Sequence, residues 1–523
     1  MDTQALYTLA DRLSSLLSDP SRVITQPSVV ERLSRDFYWY SPILRPLLDG
    51  KRADLVVQPL TTDEVRHILA FCYQHSIPVT TRGAGTGNYG QAVPLAGGVV
   101  LDLSRMDLIE AITPDGVAIC QPGVRLGALE TTARESGWEL RCYPSTIVKA
   151  SVGGFLGGGS GGIGSVAHGG LRDFATVRAF EAVTMEPTPR LIKHEGEDVH
   201  GILHAWGTNS VITRIWLALT PAVDWAQIAI TFPTFAEAYT FSETIATNPA
   251  WIKRLVTTFE WPIPSFFSAI ATLTRLNESA VFLLIANTQR EALCEVAEVI
   301  GGTVTFAEPY AGLKSTPLLS DYTWNHTTLW AMKADPAWTY LQCGFDADPT
   351  RAREQLALLK THFADDFLHH IEWMKRADNT IFPAAIPLIR FTTPERLNAM
   401  IDTCRANGIF VANPHVNHVE GGGRYRPDNA QLIAKQTHDP RNLLNPGKML
   451  TFPPSSAPTP QLSSRPERSA VERPAAEAPP TASGPPREAE GAVGFSPLHQ
   501  PATKPGFSPG PSSAPRTNPK DPA

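Results

Sequence analysis

The hexapeptide Arg82-Gly83-Ala84-Gly85-Thr86-Gly87 follows the apolar run Pro78-Val79-Thr80-Thr81. A loop so rich in glycine lets its backbone N–H groups converge on one anion such as a phosphate. Arg82 adds a charge beside that nest, and a plain glycine turn between two strands is the competing reading. A second cluster spans residues 151–165 and contains Gly153, Gly154, Gly157, Gly158, Gly159, Gly161, Gly162 and Gly164. Val152, Phe155, Leu156 and Ile163 interrupt it, which argues against a flexible linker. Two such loops suit a ligand with a long flat surface and a charged middle, as a dinucleotide has. A third constellation, residues 413–423, holds His415, His418 and Glu420. In an extended segment His418 and Glu420 share a face and His415 lies opposite, whereas a turn brings all three together.

The elements around the first cluster exclude the nicotinamide-type fingerprint, which needs G-x-G-x-x-G between a strand and a helix. Gly83, Gly85 and Gly87 lack the third glycine at the required offset, and Val99-Val100-Leu101-Asp102-Leu103 reads as a strand, so the unit is strand, loop, strand.

Several segments in a fixed order resemble a known family. They are Val57-Gln58-Pro59, the helix-like Thr62 to Tyr73, Ile77-Pro78-Val79, the first glycine cluster, Val100 to Ser104, Gln121-Pro122-Gly123-Val124 and Pro144-Ser145. Val152-Gly153-Gly154, Gly169 to Asp173, Gly207-Thr208 to Thr213 and Asp439 to Met449 complete the set. The chain is similar to flavoproteins of the vanillyl-alcohol oxidase and p-cresol methylhydroxylase (PCMH) type, in the glycolate oxidase and D-lactate dehydrogenase branch. The resemblance implies an α+β fold: a PCMH-type FAD-binding domain of two α+β subdomains, then an α+β cap domain.

It also implies roles. Arg82, Gly83, Ala84, Gly85, Thr86 and Gly87 would hold the FAD pyrophosphate. Pro144, Ser145, Gly153 and Gly154 would line the isoalloxazine and ribityl path. Thr208, Val211, Ile212 and Thr213 would lie near the adenosine end, and Asn445 would return to the flavin from the C-terminal segment, a turn ending a helix being the other reading of Asn445-Pro446-Gly447. Relatives that attach the flavin covalently use a histidine in the first loop or a cysteine shortly before the second cluster. Here Asn88, Tyr89, Gly90 and Gln91 fill the former stretch and Ile147 the latter position, so a non-covalent FAD is expected. His418 or His415, with Glu420, would take the proton of a substrate hydroxyl while the carbon-bound hydrogen leaves as hydride. Histidines that ligate a metal or only satisfy hydrogen bonds remain open alternatives, but the His-x-Gly-Asp-Gly-Asn-type segment of metal-binding relatives is missing and no metal is expected. His326, between Trp324 and Trp330, reads as a pocket wall or as packed core. A substrate carboxylate would need a cation from the cap, for which Arg390 and Lys333 are named.

These readings describe an FAD-dependent oxidoreductase acting on a small hydroxylated molecule, a 2-hydroxy acid of the glycolate or D-lactate kind. A sugar or polyol enzyme of the same fold, or a non-catalytic FAD-fold subunit of a larger complex, are the alternatives. The electron acceptor stays open among oxygen, a quinone and a cytochrome.

Composition bounds this reading. A net charge of -6 argues against a nucleic-acid partner, and 42% hydrophobic residues in 523 suffice for large cores. No apolar run approaches the roughly 20 residues of a membrane span. No secretory signal is visible at Met1 to Gln4, and six scattered cysteines suit a reducing cytosol, with peripheral membrane docking compatible. The expected organisation is a helical segment over 1–48, the FAD-binding domain over 49–222, a cap over 223–392, a segment over 393–453 returning to the flavin, and a disordered Pro/Ala/Ser-rich tail over 454–523.

Overall fold

Leu55–Val57, Val99–Asp102 and Val79–Arg82 lie parallel in a four-stranded sheet, with Val23–Ile24 antiparallel on its outer edge. Every residue of the first two strands is buried, the continuous apolar pattern of a strand covered on both faces. Helix Thr62–Gln74 packs here because Val65, Ile68, Leu69 and Cys72 recur at helical spacing, and the Thr61 side chain caps it by accepting the Glu64 amide. Residues 83–98 join two parallel strands without a helix. The first glycine segment therefore leaves the carboxyl end of Val79–Arg82, the end at which parallel sheets bind ligands. The computed structural model describes residues 3–422 and 429–452, so Gly423 and the expected tail over 454–523 lie outside the described residues.

A second sheet of six strands is antiparallel and centres on Val211–Pro221, flanked by Val117–Cys120 and Val177–Val183. The second glycine cluster, expected as a loop, winds instead into a short helix, Val152–Gly158. Ser151 caps it, and Val152, Phe155 and Leu156 give it a buried side that offsets the entropy lost by its glycines.

The cap is built on an eight-stranded antiparallel sheet. Its core is made where helices Phe235–Thr247, Pro349–Phe363 and Pro394–Ala406 lay Phe241, Leu356 and Met400 on one face. The sheet takes its edge strand from Phe410–Ala412, paired with Gln342–Gly344. The boundary expected at 392 thus falls among elements of one sheet, because the last strand is separated in sequence from its partners. On strand His370–Lys375, alternation puts His370, Glu372 and Met374 on one side, with Thr257 opposite Glu372 and Phe259 opposite His370.

Arg22 and Glu64 pin the N-terminal segment to this frame. The guanidinium donates to both carboxylate oxygens, at 2.6 and 2.7 Å, and to the Gln58 carbonyl at 2.7 Å. Burial alone would raise the Glu64 pKa, but hydrogen bonds from Arg22, Ser18 and the Leu60 amide hold it down at about 2, against an ordinary 4.5. A folded-state pKa below the unfolded one stabilises fully above the unfolded value and is lost as pH falls through the folded one. Glu64→Gln should therefore cost about 3 kcal/mol near neutrality, because it strands a buried arginine. The gap in thermal unfolding between wild type and variant should shrink from pH 4.5 towards pH 2; a gap constant over that range would exclude this ion pair as its source.

Candidate active site

Both glycine segments and the cap sheet face one cleft of about 710 Å³. In the first segment a Cβ on Gly83 would lie 2.2 Å from Ser151 Oγ. That hydroxyl accepts the amides of Ala84 and Gly154, each at 3.3 Å, and so joins the two segments. Gly85 has φ +65° and sits against the Arg82 guanidinium, where a Cβ would come within 2.1 Å. The guanidinium is itself fixed, donating to the Arg35 carbonyl. Burial pushes the Arg82 pKa down, against Asp102 and Asp36. Behind the segment, burial raises the Asp36 carboxyl and lowers the Lys448 ammonium, and Lys448 Nζ donates to the Gly90 carbonyl at 2.6 Å.

Of the other residues expected around a flavin, Pro144, Ser145, Gly153, Gly154 and Ile212 line the cleft, together with all six residues 82–87. Thr208, Val211, Thr213 and Asn445 do not. Thr208 Oγ1 donates to the Ala205 carbonyl at 2.7 Å, Val211 is core beside Val79 and Leu444, and Thr213 Oγ1 donates to the Glu181 carbonyl at 3.4 Å. Asn445 supports the site from behind, at φ +43°. Its Nδ2 donates to the carbonyls of Gln91 and Trp206, at 2.8 and 2.7 Å, while its backbone amide donates to the Val79 carbonyl at 2.8 Å.

The C-terminal histidines are also away from the cleft wall. His415 is buried with both ring nitrogens engaged: Nε2 donates to the Tyr340 carbonyl at 2.9 Å, and Nδ1 accepts from the Ser41 hydroxyl at 2.8 Å. Burial lowers its pKa to about 4, so the ring is a neutral structural link. His418 Nδ1 accepts the Gly421 amide at 3.2 Å and lies 3.5 Å from Glu420 Oε2. Glu420 takes the Thr451 amide at 3.1 Å; burial opposes its ionisation, but His418 and the nearby backbone amides hold its pKa at about 2. Arg390 pairs with Asp335 at 3.2 Å and Lys333 lies over the Trp330 ring at 4.2 Å, both exposed and neither on the cleft. Among the described residues, no three His, Cys, Asp or Glu side chains come together so as to hold a metal ion.

Trp324, Asn325 and His326, the run read as pocket wall or packed core, lie on the wall, and with them Gln342, Glu372 and Trp206. Glu372 accepts the Trp324 amide at 2.8 Å, Thr257 Oγ1 at 2.6 Å and His370 Nε2 at 3.0 Å. Tyr89 reaches from the first glycine loop to donate to Gln342 Oε1 at 2.6 Å. Only the Trp-Asn-His run carried a local signal, an imidazole among aromatic residues; the others are assembled by the sheet.

The wall fits a flat, phosphate-bearing group. A Cβ on Gly157 would meet nothing within 4 Å, so protein packing does not demand glycine there, whereas a ligand approaching the backbone would. Trp206 Nε1 is buried on the wall without a protein partner. Residues 53–188 match the family model of an FAD binding domain. This part of the chain is an FAD binding domain. The chain is similar to D-lactate dehydrogenase of Archaeoglobus fulgidus, 35% identical over 205 residues, which are 37% of this chain and 45% of that protein. Glycolate oxidase subunit GlcD of Bacillus subtilis is 33% identical over 216 residues, 39% of this chain and 45% of the relative. Mitochondrial D-2-hydroxyglutarate dehydrogenase of Bos taurus is 28% identical over 251 residues, 46% and 44% respectively. The chain spans less than half the length of these curated relatives. Beyond the FAD-binding domain, the fold extends to a solved alkyldihydroxyacetonephosphate synthase, with TM-score 0.64, 16% identity and 84% and 85% of the two chains covered.

Proposed function

We propose that the chain is an FAD-dependent oxidoreductase that oxidises a small hydroxyl-bearing molecule, a 2-hydroxy acid of the glycolate or D-lactate type. One observation carries the reading: a single cleft runs from the two glycine segments to a cap wall bearing an imidazole and an engaged carboxylate. The activities for which the relatives are named, D-lactate dehydrogenase and glycolate oxidase among them, support the substrate class.

Bound there, FAD supplies the hydride acceptor. The amides of residues 83–87 would hold the pyrophosphate, Pro144, Ser145, Gly153 and Gly154 would line the flat ring, and Ile212 would lie along the remaining wall. Asn445 and Lys448 act through the backbone they hold. The binding is non-covalent: Asn88 and Gln91 offer no nucleophile, burial raises the Tyr89 phenol well above its ordinary range while it donates to Gln342, burial pushes the Cys142 thiol up to about 12, and the Cys404 hydrogen bond and burial raise the Cys343 thiol well above its ordinary range.

A specific observation favours a second substrate class. Among the described residues, the cap wall of the cleft carries no lysine or arginine, and the lining arginines are Arg82 and Arg172, both in the FAD-binding half. A neutral sugar or polyol meets that wall without an unpaired charge. The test is an absorbance spectrum of the purified protein before and after acid precipitation, followed by anaerobic mixing with glycolate, D-lactate and a panel of sugars. A yellow supernatant and bleaching by a hydroxy acid are expected. Bleaching by sugars alone selects the second class, and a colourless protein that cannot be reconstituted overturns the function.

A further inference from the structure

We infer that His326 is the proton acceptor for the substrate hydroxyl, and that Glu372 is the positioning residue that aims the turn carrying it. The inference rests on the FAD-dependent reading and deepens it.

The functional groups of the cleft narrow the choice. Among the described lining residues the carboxylates are Asp36, Asp173 and Glu372, and the histidines His204 and His326. Asp36 accepts the amides of Tyr38 and Ala92, Asp173 that of Gly170, and Glu372 is saturated by Trp324, Thr257 and His370. His204 belongs to the glycine side, its Nδ1 lying 3.1 Å from the Gly159 carbonyl. His326 stands on the cap side, in the first turn of helix Asn325–Ala334, where a substrate between flavin and cap would lie. A neutral imidazole carries its proton on one ring nitrogen and keeps a lone pair on the other. Burial holds the pKa at about 4 despite the Asp321 carbonyl, so the lone pair is present at neutral pH.

The turn is built to present this ring. Trp324 has φ +52° and ψ −139°, a backbone conformation that L side chains rarely adopt. The Glu372 carboxylate takes the Trp324 amide and holds it there, while His370, stacked on Phe259 at 5.0 Å, fixes Glu372 from the other side. Trp324 Nε1 and Asn325 Oδ1 are buried without protein partners. A donor and an acceptor left open beside an imidazole match a substrate that brings hydroxyl and carbonyl oxygens. In the step, the O–H bond of the substrate breaks and its proton joins the free nitrogen of His326. The carbinol C–H pair leaves as hydride to the bound flavin, the oxidant, and a C=O bond forms.

The test uses the full chain loaded with FAD and whichever substrate bleaches it. His326→Ala and His326→Gln should keep wild-type flavin content and bind the reaction product, read from the perturbed flavin spectrum, within about threefold of wild type. Flavin reduction in a single turnover should slow by about 100-fold or more, and added imidazole should restore part of it in His326→Ala. Glu372→Gln should slow reduction about tenfold without imidazole rescue and shift the tryptophan fluorescence as Trp324 loses its hold. Reduction by both His326 variants within threefold of wild type, or a slowing that imidazole leaves untouched, would overturn the assignment while the FAD-dependent reading stands. A wild-type flavin that no hydroxy acid or sugar bleaches removes both.

Discussion

Replacing Arg254 by methionine is expected to lower stability by about 3 kcal/mol, because it takes the buried counter-ion from two carboxylates and leaves them only the more exposed Arg134. Arg254 belongs to the cap strand Lys253–Phe259, and its side chain is 2% exposed. It donates to Glu130 at 3.0 Å, to Glu139 at 3.3 Å and to the Leu140 carbonyl at 3.0 Å, all in the FAD-binding half. Its guanidinium also lies 4.7 Å from the centre of the Tyr143 ring, next to Pro144 and Ser145 on the cleft. Burial opposes charge on this arginine, but Glu130, Tyr143 and Glu139 outweigh it and raise its pKa. Coulomb attraction at such depth is strong, and so is the penalty for a charge left alone. Thermal unfolding should show the loss, and the triple variant Arg254→Met, Glu130→Gln, Glu139→Gln should recover part of it, since it removes the stranded charges. Equal loss in the single and triple variants would mean that packing, and not charge, sets the effect.

Gly85→Val is expected to weaken FAD binding by about 100-fold or more, roughly 2.7 kcal/mol. At φ +65° a β-branched residue is strained by about 1–3 kcal/mol, and its Cβ would fall 2.1 Å from the Arg82 guanidinium. The guanidinium cannot yield cheaply, because it is buried and held by the Arg35 carbonyl. Gly157→Ala is the informative companion: its Cβ meets no protein atom within 4 Å, so folding should be untouched while FAD affinity falls. Flavin titration of the two apo-proteins checks both, and full occupancy in Gly85→Val would contradict the role given to residues 82–87.

The glycine segments were legible because their chemistry is local: adjacent backbone amides need no distant partner to form a nest. The strands Val79–Arg82 and Val99–Asp102 were legible for the same reason, each an apolar run of its own. The histidines of 415–420 looked like chemistry because their spacing is short. What occupies them is remote in sequence: Ser41 and Tyr340 on His415, Thr451 on Glu420. His326 was ambiguous for the converse reason, since an imidazole between tryptophans reads equally as core until the sheet sets Glu372 beneath Trp324. Only charge marks Arg390 and Lys333 in the sequence, and strand and helical register turn both outwards.

The supports of the first glycine segment also fix an order of events in the making of the protein. Asn445, which holds the Gln91 carbonyl, is 365 positions beyond Thr80, and Lys448, which holds Gly90, follows it. At about 5–20 residues per second, roughly 20–70 s of translation separate the phosphate nest from the residues that brace it. Throughout that interval the nascent segment lacks the hydrogen bonds that Asn445 and Lys448 give it, so its braced form follows the synthesis of residue 448.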